Sequence, residues 1–151
     1  MTRSMQRLLI ALALLLAPAT GNAQAINTNR AGLAVGGYDP VAYFVAGSAE
    51  IGSPDVTASH DGATYRFVNN TNRDRFVADP AKYLPAYGGY CAYGVANGYK
   101  VKVDPDAFTI VDGTLYLNYD KGVMKKWRAD IPAYVAKADA NWKSIENAPR
   151  K

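Results

Sequence analysis

The stretch "AFTIVDGTLYLN", residues 107–118, decides the fold. Two β-prone runs flank Asp112-Gly113. An Asp-Gly pair suits a two-residue hairpin turn, because both central positions need positive φ, which glycine adopts freely and aspartate tolerates. The spacing predicts strands over 107–111 and 114–118. A second stretch carries the same signal: "DVTASH", 55–60, then Asp61-Gly62, then "ATYRFV", 63–68. Val56 and Ala58 alternate with polar residues, and Tyr65 and Phe67 share one face of the returning strand.

Helices fill the space around these hairpins. Asn69 to Asp79 reads as a helix, with Asn69 or Asn70 capping its free N–H groups and Pro80 stopping it. Phe76 and Val77 are its main apolar residues. Two helices close the chain. The first carries Val123, Met124 and Trp127. The second carries Ile131, Tyr134, Val135, Ala138 and Trp142 at helical period, with Asp130 and Pro132 marking its start. Upstream, "VGGYDPVAYF", 35–44, opens on a glycine pair and breaks at Asp39-Pro40. The turn-rich "AKYLPAYGGYCAYGVANG", 81–98, holds a short helix that starts near Cys91 and ends at Gly98. The expected fold class is α+β, one small domain of two β-hairpins and several short helices. No internal repeat is evident. Residues 26–34 read as a lead-in, 35–146 as the domain and 147–151 as a tail.

The N-terminus sets the compartment. Arg3 and Arg7 precede an apolar run from Leu8 to Ala17, and Ala23-Gln24-Ala25 is a small-x-small cleavage site. This is the pattern of a secretory signal peptide over residues 1–25, too short to span a bilayer comfortably. The alternative is an N-terminal anchor. The signal-peptide reading makes the mature protein periplasmic or secreted, with no stable membrane insertion after cleavage. Losing residues 1–25 lowers the net charge from +4 to +2. The only basic cluster, Lys125, Lys126 and Arg128, suits a solvated helix face, so no nucleic-acid partner is expected.

Cys91 is the only cysteine. An exported thiol without a partner is exposed to oxidation and wrong disulfides, so its retention asks for a reason. The bland reading is a small buried hydrophobe. The sharper one is a reactive or metal-ligating thiol near a helix N-terminus, where the partial positive charge favours thiolate. Gly88 and Gly89 allow close approach of a ligand, and Tyr87, Tyr90 and Tyr93 bracket the thiol as site-lining rings. His60, the only histidine, is either an exposed turn residue or a second ligand. With Cys91 it makes a two-residue set for Cu(I), since soft thiolate suits that ion. Met124 is a further sulfur, though its place between Val123 and Trp127 suits the core. No catalytic constellation emerges: there is no Ser-His-acid order, no phosphate-binding glycine loop and no Cys-x-x-Cys. Asp104, Asp106 and Asp112 match no calcium loop and read as turn residues.

The order "DGATYRFVNNTNRDRFVADPAKYLP", 61–85, resembles the core of a YHS domain, and "GGYDPVAYF", "YGGYCAYGVANG" and "FTIVDGTLYLN" extend the resemblance to exported bacterial YHS-domain proteins over roughly residues 34–145. The resemblance implies a link to metal binding or delivery, since some YHS domains sit in heavy-metal transport ATPases. It also implies a special role at Cys91, which matches a selenocysteine position in exported relatives. The family's other cysteines are absent: their places hold Ala42, Val68 and about Thr71. A four-cysteine site is therefore excluded. Three readings stand: metal handling of a copper type through Cys91 and His60, single-thiol redox chemistry with a partner protein or small oxidant, and a non-catalytic adaptor with Cys91 inert.

Overall fold

The computed structural model describes residues 25–150. The signal-peptide expectation falls almost wholly outside them. The hairpin signals are realised. β1 (Ser53–His60) pairs antiparallel with β2 (Ala63–Phe67), and β3 (Asp104–Val111) with β4 (Thr114–Asn118). Asp61 and Gly62 have φ of 47° and 79°, and Asp112 and Gly113 of 49° and 77°. Positive φ at both central residues is the turn whose twist matches the strands. Each first strand begins earlier than the pattern predicts, because a register break precedes its regular part, between Ser53 and Thr57 and between Asp104 and Phe108. Alternation is interrupted there, so the extra residues do not read as strand.

The helices are α1 (Ala42–Val45), α2 (Asn70–Ala78), α3 (Ala92–Ala96), α4 (Lys121–Arg128) and α5 (Ile131–Ile145). Asn69, Asp120 and Asp130 cap α2, α4 and α5 by accepting from Asn72, Val123 and Ala133 N–H groups. The architecture is α+β, and among the described residues no helix is long and apolar enough to cross a membrane.

The chain folds as two similar halves, which corrects the expectation of no internal repeat. Val35-Gly36-Gly37-Tyr38 precedes α1, and Tyr87-Gly88-Gly89-Tyr90 precedes α3. The first three residues of each run are left-handed, at φ of 52°, 61° and 85° and of 56°, 61° and 81°. Each run is followed by a short helix, a broken first strand, an Asp-Gly turn, a five-residue return strand and a capped helix. A parallel bridge joins Leu33 to Thr64 in the first half and Pro85 to Leu115 in the second. Gly-Gly-Tyr recurs at 36–38 and 88–90 and Asp-Gly at the two turns, but few other side chains match across the halves.

Two apolar clusters form the core, and the first of them joins the halves. One gathers Tyr43, Tyr65, Phe67 and Phe76 with Leu115 and Leu117. The other gathers Tyr87, Tyr90, Val95, Trp127 and Ala138, with Tyr116 against it. β4 thus sends Leu115 and Leu117 to one cluster and Tyr116 to the other, as strand alternation requires. The lead-in is part of this packing. Asn27 N–H donates to the Gly88 carbonyl at 2.8 Å, and Ala34 is buried. A Cβ at Gly88 would collide with the Ala25 carbonyl oxygen, which explains the glycine there.

Candidate functional site

Cys91 sits immediately before α3 and is 1% exposed. Its Sγ accepts from the Gly94 N–H at 3.4 Å and from the Tyr119 N–H at 3.3 Å. Its S–H donates to Asn118 Oδ1 at 3.6 Å. The same oxygen accepts from the Tyr93 N–H at 3.2 Å, which fixes the amide's orientation. Asn118 is fully buried, and its Nδ2 has no partner among the described residues. Burial pushes the thiol above its ordinary range, outweighing the N–H groups of Gly94, Tyr119 and Tyr93, which pull the other way. The resting group is therefore a neutral thiol, with its one hydrogen donated and its lone pairs engaged.

The equivalent place in the first half is held by Asp39, which is fully buried. Its Oδ1 accepts from the N–H groups of Val41 and Ala42 at 2.7 and 3.2 Å. Its Oδ2 accepts from Val68 N–H at 2.9 Å and Asn72 Nδ2 at 2.8 Å. Val68 and Tyr119 correspond, each the residue that immediately follows its return strand. Both donate to the node that starts the short helix. Sulfur has replaced a carboxylate as the hub joining helix, return strand and following helix. The neighbours differ. Where the first half has Asn72, the second has Val123; where the first has Phe67, the second has Asn118.

The result is a closed hub in one half and an open one in the other. Asn72 seals the Asp39 carboxylate. Beside Cys91 lies a cavity of about 250 Å³, lined by Cys91, Tyr93, Gly94, Tyr99, Val101, Tyr119 and Val123. Tyr93 is the one ring of the expected set that lines it. Tyr87 and Tyr90 do not. Tyr90 is the extended residue that ends the turn before Cys91, and its ring packs away from the cavity. Tyr87 hydrogen-bonds Asp139 at 2.9 Å, and both Tyr87 and Tyr90 pack on Trp142. Gly88 and Gly89 serve the N-terminal segment instead, Gly89 accepting from Asn27 Nδ2. Tyr119 and Val123 are distant from Cys91 in sequence, and only the parallel between the two halves could have pointed to them.

His60 is not at this site. It ends β1, pairs with Ala63 in the first hairpin, and has its ring edge-on to Phe76 at 5.9 Å. Its Nε2 lies 3.3 Å from Asp61 Oδ2. It lines a different cavity with Gly88, Trp142 and Glu146, so the expected Cys91–His60 ligand pair is not assembled. Among the described residues no three His, Cys, Asp or Glu side chains group as a metal site. Around Cys91 the other lining groups are phenols, glycine and valines, so Cu(I) would find one soft ligand and no second. The donor set does not fit that ion. No protein-family model, curated protein or solved structure matches the chain.

Proposed function

We propose that this is an exported single-thiol protein in which Cys91 is a masked nucleophile serving small, apolar, thiol-reactive partners. One observation carries the reading: the second half keeps the hub geometry of the first but opens a cavity onto the hub atom, with Val123 where Asn72 closes the other. A purely structural hub has no need of that opening. The two backbone N–H groups on Sγ are placed to hold an anion, as the matching groups do for the Asp39 carboxylate. The resemblance to exported YHS-domain proteins, with selenocysteine at the matching position, supports the same choice.

The chemistry follows from the balance of these groups. Loss of the S–H proton gives a thiolate held by Gly94 and Tyr119. That thiolate attacks one sulfur of a small disulfide. The new S–S bond to Cys91 forms as the old one breaks, and the departing thiolate takes up the released proton. With one cysteine in the chain, the mixed disulfide is resolved by a thiol from another molecule.

The test compares a small methylthiolating reagent with a bulky charged aromatic disulfide on the reduced, folded protein, read by intact mass. Single modification by the small reagent at a rate independent of low urea supports the proposal. Cys91→Ser abolishes it. If both reagents react only at the rate of global unfolding, Cys91 is packing alone. A Cu(I)-chelator competition in which wild type outcompetes Cys91→Ser tenfold or more would restore the metal reading instead.

A further inference from the structure

A cavity of about 370 Å³ lies where the N-terminal segment, the Gly36 turn, the approach to β3 and the Arg150 segment meet. Its polar lining is Asn27, Thr28, Asn29, Arg30, Lys102 and Arg150. Every charged group among these is a cation. The nearest acids in sequence, Asp104 and Asp106, do not line it; their charge acts on the Tyr43 hydroxyl, which donates to the Pro105 carbonyl at 2.9 Å. Among the described residues no ion pair joins any of these three cations to a carboxylate. Such a set in a protein with only a small positive net charge is a local concentration of charge, not a reflection of overall composition.

Arg150 is also positioned. Its Nη1 donates to Asn27 Oδ1 at 3.4 Å and to the Thr28 carbonyl at 3.1 Å. These contacts clip the chain's end to the N-terminal segment and leave other guanidinium donors for a guest. Lys102 keeps its ammonium 5.9 Å from the Tyr119 ring, on a stem long enough to swing to the cavity. Asn27, Thr28 and Asn29 add amide and hydroxyl donors of the kind that complete an oxyanion shell.

We infer that this cavity binds a small oxyanion carrying two or more negative charges, of the phosphate type, through Arg30, Lys102 and Arg150. A forked guanidinium matches two oxygens of such an ion, and three cations from separate segments match its charge. The site is independent of Cys91.

The probe is inorganic pyrophosphate, titrated by calorimetry and by backbone amide NMR. Saturable one-to-one binding is expected, with the largest shifts at residues 27–30, 36 and 103. Arg30→Gln and Lys102→Gln each weaken it about threefold, and the triple Gln variant about twentyfold, the range for exposed charge pairs. Arg150→Lys, which keeps the charge and loses the fork, weakens it about twofold. All three positions are exposed, so an unchanged NMR spectrum elsewhere confirms the fold of each variant. No saturation, equal binding by the triple variant, or the same shifts from chloride at matched ionic strength overturns the inference. So does binding to anionic vesicles with no response to pyrophosphate.

Discussion

Replacing Asp39 by alanine removes one buried carboxylate and strands four donors: the N–H groups of Val41, Ala42 and Val68 and the amide of Asn72. Each buried donor left without a partner costs about 1–3 kcal/mol. Asp39 is fully buried, so water reaches the gap poorly. Taking the lower half of that range for each donor, since the site relaxes partly, the total is about 4–8 kcal/mol. A domain of this size has about 5–15 kcal/mol in all. Asp39→Ala is therefore expected to be marginal or unfolded at body temperature. Asp39→Asn keeps one oxygen for Val41 and Ala42 but points an NH₂ at two other donors, so about 2–4 kcal/mol is expected. Urea unfolding followed by circular dichroism and tryptophan fluorescence reads both. An Asp39→Ala midpoint within about 1 kcal/mol of the parent, at unchanged m-value, would refute the hub argument.

Cys91 provides a pH test. Its folded pKa lies above the unfolded one, so its contribution to stability is full below the unfolded value and is lost as pH rises through the folded value. Alkylation of the folded protein should accordingly lag a free thiol at neutral pH and keep climbing beyond about pH 9.5, a unit above an ordinary thiol pKa, where a free thiol levels off; a plateau below that pH contradicts the burial argument. Gly94→Ala places a Cβ 3.1 Å from Val101 Cγ2 and 3.2 Å from the Tyr99 ring. It should cost about 1–2 kcal/mol in chemical denaturation and slow methylthiolation of Cys91 by narrowing the cavity. Trp127→Ala, at a fully buried position between Tyr116 and the α5 face, should cost about 3–5 kcal/mol, read from the same denaturation curves.

The hairpins and the long helices were legible because each rests on local chemistry. Asp-Gly turns, Asn69 and Asp120 caps and a 3.6 period in α5 are short-range signals that tertiary contacts did not override. The position of Cys91 at the start of α3 was legible for the same reason. Its surroundings were not. Tyr87 and Tyr90 look like neighbours of the thiol by spacing, but three left-handed residues turn the chain at 87–89 and send those rings to Trp142. The sequence places His60 beside the Asp61-Gly62 turn, but it does not fix where that turn lies relative to Cys91. The two-half architecture was hidden because the hub residues, Asp39 and Cys91, differ in chemistry while sharing a backbone role.

That exchange of chemistry can be run backwards. Cys91→Asp alone puts a carboxylate where Gly94 and Tyr119 N–H groups await it, but beside the Oδ1 of Asn118 and the apolar Val123. Its charge gains two donors where Asp39 has four: the Tyr93 N–H goes to Asn118 Oδ1, and nothing stands in for the amide of Asn72. Incomplete satisfaction of a buried charge should destabilise the protein by about 2–4 kcal/mol. Adding Val123→Asn supplies an amide at the position equivalent to Asn72. By itself, Val123→Asn introduces a polar group into an apolar wall, at a cost of about 1–2 kcal/mol. The two changes share one hydrogen bond, so the double variant should be more stable than the sum of the singles by about 1–3 kcal/mol, the size of coupling seen between contacting residues. A double-mutant cycle in urea measures this. Additivity within about 0.5 kcal/mol would mean that Val123 does not face the hub as Asn72 does, and the two halves would be alike in backbone only. A favourable coupling would show that the second half differs from the first by a few side chains, and that those side chains are what open its thiol to a guest.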